Sequence, residues 1–246
     1  MKKRRNQASS KLSRLSFLRL VEADQHLASL RQEYASKSAE ERRQAADWHY
    51  HSAIASEMFE FALASSELEG FALPDWPSGV VALAIDPLYA PALLTVGSME
   101  YQLGRPEEAM SLFMKLTSLP KDEEDLPKII DKAGDFLIDE GDFENALELY
   151  LAAERLDPKE TVYLIGSGYC LGKLGRYDEA IKKHRLAVEL EPENHEHLND
   201  LGYSLLEARE YEEAEAVLKR SIKLAPSDYE LSKNNLEDLY ERTGKA

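Results

Sequence analysis

The sequence lacks the features expected of a secreted or membrane-spanning protein. Its 246 residues include one cysteine, Cys170, so an internal disulfide framework is excluded and a reducing compartment is favoured. No apolar run approaches the ~18 residues that a transmembrane helix needs. The basic start MKKRRNQASSKLSRLS is not followed by the apolar core of a secretory signal. We therefore expect a cytoplasmic protein without a transmembrane segment.

The usual residue constellations of an enzyme are also missing. No strand pattern is visible, and no glycine-rich phosphate loop follows one. His49 and His51, like His195 and His197, are two residues apart and so point away from each other on a helix. Cys170 occupies a helix position typical of a buried, inert thiol. The acidic clusters lack the spacing of a calcium loop. The sequence therefore predicts no enzymatic activity, no metal site and no cofactor.

Charge is divided unequally along the chain. The formal net charge is −16. Residues 1–45 contain 11 Lys+Arg against 5 Asp+Glu, a balance of +6, whereas residues 46–246 have a balance of −22. An acidic body repels phosphate backbones and attracts basic partners. We expect nucleic acid or another anionic surface to bind only through the basic arm, which could equally be a solvated terminus.

An internal repeat organises the rest of the chain. The segments GDFENA (141–146), GRYDEA (175–180) and REYEEA (209–214) are 34 residues apart. Glycines, alanines and prolines keep the same interval: Gly134, Gly168 and Gly202; Ala146, Ala180 and Ala214; Pro158, Pro192 and Pro226. An earlier copy contains Gly97 and GRPEEA (104–109), with about three extra residues before the next copy. Such a period predicts stacked helix pairs, each of which needs its neighbours to bury its apolar face.

This pattern resembles the tetratricopeptide repeat family, and we place repeats at 90–123, 127–160, 161–194 and 195–228. The resemblance implies an all-α fold, a right-handed superhelical α-solenoid of antiparallel helix pairs. The repeat at 90–123 departs most from the pattern, because Glu100 stands where an aromatic residue is usual. In the repeat at 161–194, Ser167 and His184 replace large apolar residues, and we expect His184 to be a packing residue.

Atypical segments flank the four repeats. Residues 229–246 are predicted to form a capping helix with a polar outer face and with Leu231, Leu236 and Leu239 on its apolar inner face. Upstream, we predict a degenerate helix pair at 46–89, with a loop around Trp76 between its two prolines. Residues 13–45 are predicted to be an amphipathic helical segment, and residues 1–12 a disordered basic tail.

The family resemblance also implies a concave surface lined by the first helix of each repeat. The predicted groove residues are Leu94, Ser98, Tyr101, Asp131, Asp135, Ile138, Ile165, Tyr169, Asn199, Tyr203 and Lys233. Relatives that grip a carboxylate use paired Lys and Asn at these positions, whereas Asp131 and Asp135 would oppose such a ligand. The set favours a peptide or helix that is apolar with basic residues. Tyr169 and Tyr203 could instead only pack between repeats.

Together these features predict a non-enzymatic adaptor or scaffold that binds another protein. One alternative is a factor that associates with RNA, the ribosome or an anionic surface through the arm. Another is the non-catalytic subunit of an enzyme or secretion complex. The arm residues would be Lys2, Lys3, Arg4, Arg5, Lys11, Arg14 and Arg19. The identity of the partner and the oligomeric state are left open by the sequence.

Overall fold

The structure is a computed structural model that describes the backbone of residues 25–64 and 76–244 and the side chains of residues 28–51 and 79–244. These ranges contain twelve α-helices and no strand. The helices are α1 (Gln25–Tyr34), α2 (Ala39–Ala64), α3 (Trp76–Ile85), α4 (Ala90–Gln102), α5 (Pro106–Leu116), α6 (Leu126–Asp139), α7 (Phe143–Leu156), α8 (Thr161–Lys173), α9 (Tyr177–Leu190), α10 (His195–Glu207), α11 (Tyr211–Leu224) and α12 (Leu231–Thr243). From α2 to α5 and from α7 to α12, each helix packs on the next. The predicted all-α fold of helix pairs is confirmed for the described residues.

Tight turns join the two helices of each repeat. Three residues separate α4 from α5, α6 from α7, α8 from α9 and α10 from α11. Gly104, Gly141 and Gly175 adopt positive φ angles of 79°, 81° and 74° in these turns, which glycine does without steric cost. The fourth turn has Arg209 at the same place with a φ of 65°. All four repeats thus share this backbone geometry, including the one in which an arginine replaces the glycine.

The start of the chain differs in detail from the sequence prediction. Helix α2 begins at Ala39, well before the predicted boundary at residue 46. A capping box explains the early start: the Glu41 amide donates to Ser38 Oγ at 3.2 Å, and the Ser38 amide donates to the Glu41 carboxylate at 2.9 Å. Trp76, predicted to lie in a loop, is the first residue of α3. Residues 1–24, with all the proposed arm residues, lie outside the described part.

The chain divides into two compact units, which we call the N-terminal unit (up to Ile129) and the C-terminal unit (from Ile130). In the N-terminal unit, α2 packs on α3, α3 on α4 and α4 on α5. Polar contacts hold α2 in place: the Tyr89 hydroxyl donates to Asp47 at 2.7 Å, and Tyr50 and Thr95 share a hydrogen bond of 2.8 Å. The upstream helices are therefore an integral part of this unit.

In every repeat, a glycine of the first helix touches a large side chain of the second. The pairs are Gly97 with Phe113, Gly134 with Tyr150, Gly168 with His184, and Gly202 with Leu218. A Cβ on any of these glycines would come closer than 3.0 Å to its partner. The partners are always 16 residues apart. The periodic glycine thus lets the two helices of a repeat approach closely.

Helix α12 covers the end of the C-terminal unit. Leu239 is fully buried, and Leu236 and Tyr240 pack against the same core cluster as Leu205 and Leu218 of the last repeat. Leu231, expected on the inner face, is instead 57% exposed. No described helix has the length and apolar character that crossing a membrane requires.

Candidate functional site

A cavity of about 640 Å³ opens in the C-terminal unit, where the first helices of three repeats, α6, α8 and α10, come together. Six of the groove residues predicted from the sequence line it: Asp131, Asp135, Ile138, Ile165, Tyr169 and Tyr203. Side chains of one face of a helix recur every three to four residues, so Asp131, Asp135 and Ile138 reach the cavity from successive turns of α6. Its volume is in the usual range of ligand sites.

Tyr169 on α8 and Tyr203 on α10 are both exposed in this cavity. The two residues are 42% and 39% exposed, which is high for aromatic residues of a folded protein. The ammonium group of Lys173 lies 5.1 Å from the centroid of the Tyr169 ring, a cation–π distance. Of the two interpretations that the sequence left open, this geometry favours rings that face the cavity.

Tyr150 forms part of the cavity base. Its ring lies between Gly134 of α6 and Gly166 of α8, so closely that a Cβ on either glycine would clash with it. Its hydroxyl donates to Asp131 Oδ1 at 3.0 Å. Tyr150 was not among the groove residues predicted from the sequence. Gly166, an additional small residue two positions before the periodic Gly168, was the signal for this close approach.

His184 also lines the cavity base and is buried, with 3% of its surface exposed. Its Nδ1 shares a hydrogen bond of 2.9 Å with Ser204 Oγ, and its Nε2 has no hydrogen-bond partner among the described residues. Burial lowers the pKa of His184 to about 4, because an imidazolium would lose its hydration there. His184 is therefore a neutral packing residue at pH 7, as expected from the sequence.

Carboxylates dominate the charge of the cavity wall. Asp131, Asp135, Glu196, Asp200 and Glu207 line it, with Lys173 as the one cationic side chain among the lining residues described. Burial raises the pKa of Asp131 and of Asp135, and for Asp135 the neighbouring Asp131 and Asp139 raise it further. Burial raises the pKa of Asp200 to about 6. Glu196 and Asp200 were not among the predicted groove residues.

Two predicted groove residues lie elsewhere in the C-terminal unit. Asn199 is 6% exposed, and its side-chain oxygen accepts hydrogen bonds from Ser232 at 3.1 Å and Asn235 at 2.9 Å. It therefore joins α10 to α12 and does not line the cavity. Lys233 forms an ion pair with Glu230 at 2.8 Å, outside the cavity. Asn199 has the helix position of an inner face, but α12 covers that face in the last repeat. Lys233 is a residue of α12 itself.

Leu94, Ser98 and Tyr101 belong to α4 of the N-terminal unit, and all three are partly buried. The Ser98 hydroxyl donates to the carbonyl oxygen of Leu94 at 3.0 Å, the usual bond of a serine to the preceding turn of its own helix.

Groups that could support catalysis are inert or dispersed in the described part of the chain. Cys170 is completely buried, and burial raises the pKa of its thiol to about 12, so the reactive thiolate is disfavoured. His195 stacks edge-on against Tyr229 at a centroid distance of 4.6 Å. No group of three or more His, Cys, Asp or Glu side chains in the described ranges is arranged to hold a metal ion.

The repeats match models of a known protein family. A family model described as tetratricopeptide repeat matches residues 132–190 and 165–229, and a second model of the same description matches residues 90–123. Together these ranges cover more than half of the chain. No curated protein matches the sequence.

Several solved structures resemble the chain at low sequence identity. MamA residues 41 to the end from Desulfovibrio magneticus RS-1 is 18% identical, with a TM-score of 0.49, 63% of this chain covered and 86% of that one. The Sgt2 TPR domain from Aspergillus fumigatus is 18% identical, with a TM-score of 0.47 and coverages of 51% and 82%. The second TPR domain of human RPAP3, solved with the HSP70 peptide SGPTIEEVD, is 20% identical, with a TM-score of 0.43 and coverages of 46% and 95%.

Proposed function

The chain belongs to the tetratricopeptide repeat family, and from this membership we propose that it is a protein-binding adaptor without catalytic activity of its own. The cavity between α6, α8 and α10 holds a peptide or helix of the partner. Fold alone does not assign a function, so the proposal depends on the side chains that the cavity presents.

The observation that carries the proposal is the exposure of two large aromatic side chains in one cavity. Tyr169 and Tyr203 are 42% and 39% exposed, on neighbouring first helices. Tyrosines at the centre of an interface usually contribute a large share of the binding energy. Apolar lining residues, here Ile138 and Ile165, are also typical of a ligand site.

The chemistry of the cavity favours a basic partner segment. The human RPAP3 domain was solved with a peptide that ends in EEVD. In this chain Asp131 and Asp135 would repel such a carboxylate-rich end, and like charges in an interface suppress wrong partners. The partner segment is therefore apolar with basic residues. No observation in the described residues favours RNA or an anionic surface as the partner.

The single cysteine supports a reducing compartment as the place of action. Cys170 is buried and has no second cysteine with which to form an intramolecular disulfide. Reducing conditions are typical of the cytoplasm, which is the proposed location.

Site-specific photo-crosslinking tests the proposed site directly. The substitution Tyr169→p-benzoyl-phenylalanine places the crosslinker in the cavity, and Leu190→p-benzoyl-phenylalanine places it on an exposed position of α9 with a similar exposure of 37%. We expect a discrete partner protein to be captured from position 169 and not from position 190, and Tyr203→Ala to reduce that capture at least fivefold. Equal yields from both positions, or no capture from either, would contradict the proposal.

A further inference from the structure

We infer that Gly172 forms a subsite of the cavity, and that this subsite takes one large apolar side chain of the bound segment, of the size of leucine. The inference rests on the proposed function, because it concerns the same cavity. It goes beyond that function by naming the residue that makes room for the segment and the kind of side chain that fills the room.

Gly172 lacks the structural reasons that account for the other two glycines of α8. A Cβ on Gly166 would clash with the Tyr150 ring. A Cβ on Gly168 would clash with the His184 ring. At Gly172, by contrast, a Cβ would meet nothing within 4 Å, and the φ angle is not in the left-handed region. Neither close packing nor backbone conformation therefore requires a glycine at this position.

A glycine in a helix is unfavourable for the folded state unless something requires it. It gives the unfolded chain more conformational freedom and has a low helix propensity. Gly172 belongs to α8 (Thr161–Lys173), and the left-handed turn that follows this helix uses Gly175 instead. Alanine at position 172 would thus stabilise the fold. Residues that lower stability without a structural reason are typical of functional sites.

The location of Gly172 provides an independent observation. It lines the cavity together with Ile138 of α6, Tyr169 of α8 and Tyr203 of α10. The residues 34 positions earlier and later, at the same place in the adjacent repeats, are Ile138 and Leu206. Compared with these repeats, the cavity wall lacks one apolar side chain at position 172. The space that this leaves has apolar residues around it and is open to a ligand.

An apolar side chain fits this subsite better than a charged one. Burial of apolar surface against aliphatic and aromatic side chains is favourable, whereas a charged group would lose its hydration there. A basic side chain is further disfavoured by Lys173, whose ammonium group lies 5.1 Å from the Tyr169 ring centroid. An acidic side chain is disfavoured by the carboxylates of the wall, because like charges repel. The basic residues of the bound segment therefore lie away from Gly172.

Small amino-acid derivatives test the subsite on the complete protein, without knowledge of the partner. The probes are the N-acetyl N-methylamides of leucine, alanine, lysine and glutamate. Amide resonances of Gly166 and Gly172, which line the cavity, are followed by NMR, with Gly97 and Gly244 as references outside it. We expect saturable shifts of the cavity glycines with leucine and at least fivefold weaker binding of the other three probes. No saturable shift with leucine, or binding of any other probe within twofold of leucine, would overturn the inference.

Filling the subsite with a side chain of the protein itself is a second test. Gly172→Leu should weaken binding of the leucine probe at least tenfold, measured at Gly166, and Gly172→Ala should weaken it by a smaller factor. The melting temperature of Gly172→Ala should not fall, because the added methyl group meets open space. Ala216→Leu is the matched control, since Ala216 is exposed on α11 outside the cavity, and it should change probe binding less than twofold. Probe binding by Gly172→Leu within twofold of wild type, or a lower melting temperature of Gly172→Ala, would contradict the inferred role.

Crosslinking in the Gly172→Leu background separates this inference from the adaptor proposal. Tyr203→p-benzoyl-phenylalanine places the crosslinker in the same cavity, and Gly172→Leu should reduce the capture of the partner from this position at least fivefold. If the capture is unchanged, the adaptor proposal stands and the subsite is refuted. If Gly172→Leu blocks the leucine probe but no partner is captured from position 169 or 203, the subsite stands and the adaptor proposal fails.

Discussion

The imidazole of His184 lies directly against Gly168, so closely that a Cβ on residue 168 would approach its Nε2 to less than 3.0 Å. We predict that Gly168→Ala lowers the free energy of unfolding by about 1–3 kcal/mol, the usual effect of overpacking. Gly172 is the matched control, because it lies in the same helix and a Cβ there would meet nothing within 4 Å. Gly172→Ala should raise stability by up to ~1 kcal/mol through helix propensity. Urea denaturation of both variants measures the difference, and equal effects would show that the contact is not close.

Acid should destabilise the protein through the same histidine. The pKa of His184 is lowered from 6.5 to about 4 in the folded protein, so the unfolded chain binds a proton first as the pH falls. The neutral imidazole contributes its full stability above pH 6.5. As the pH falls from 6.5 towards 4, the free energy of unfolding decreases, and the decrease is about 2 kcal/mol at pH 5. The pKa of Asp200, which partial burial raises to about 6, acts in the opposite direction, because the folded protein binds that proton first.

His184→Leu tests this pH dependence, because Leu218 occupies the equivalent position against Gly202 in the next repeat. The loss of melting temperature between pH 7 and pH 5 should be smaller in His184→Leu than in wild type. His51→Gln, at an exposed histidine, should retain the wild-type pH dependence. The explanation would be wrong if both variants lost stability in parallel with wild type.

Tyr169 and Tyr203 are predicted to contribute to binding and little to stability. Because both rings are more than a third exposed, Tyr169→Ala with Tyr203→Ala should lower the melting temperature only slightly. The affinity for the partner captured by crosslinking should fall at least tenfold, or about 1.4 kcal/mol. Leu190→Ala with Leu224→Ala removes apolar side chains of 37% and 40% exposure from α9 and α11 and should leave the affinity unchanged. A large loss of melting temperature in the tyrosine variant would instead identify both rings as packing residues.

Removing one partner of the buried ion pair in the first repeat should destabilise the protein far more than removing both partners. Glu100 is fully buried, and Arg105 donates to its carboxylate at 2.7 Å. Arg105→Leu leaves a buried charge without this partner and should cost about 3–5 kcal/mol. Glu100→Leu with Arg105→Leu should recover most of that loss. Thermal unfolding of the single and double variants decides the point, and additive losses would exclude the proposed coupling.

Arg209 offers a stabilising substitution. Its φ of 65° lies in the left-handed region, where a side chain other than glycine costs about 1–2 kcal/mol. Arg209→Gly restores the residue found in the equivalent turns at Gly141 and Gly175 and should raise the free energy of unfolding by about 0.5–1 kcal/mol. Arg209→Ala, which keeps the Cβ, should give no such gain in the same denaturation experiment.

Local patterns in the sequence were sufficient to predict the helix pairs and their turns. A glycine, an alanine and a proline recur every 34 residues. The glycine marks the close contact between the two helices of a repeat, the alanine lies on the helix face opposite it, and the proline marks the end of the second helix. Each of these features depends on neighbours within one repeat. The cavity residues on α6 and α8, among them Asp135 and Tyr169, were implied by the resemblance to the tetratricopeptide repeat family, in which fixed positions of the first helix face inward. The start of α2 was predicted too late because the capping box at Ser38 and Glu41 was overlooked.

The contacts between repeats were decided only by the tertiary structure. Asn199 has the helix position of a groove residue, yet it is buried because α12 brings Ser232 and Asn235 against it. Tyr150 and His184 look like core residues in the sequence, yet both line the cavity, since Gly166 and Gly168 let their rings reach its base. Periodicity determines which way a side chain points from its own helix. What that side chain meets depends on the packing of elements that are far apart in the chain.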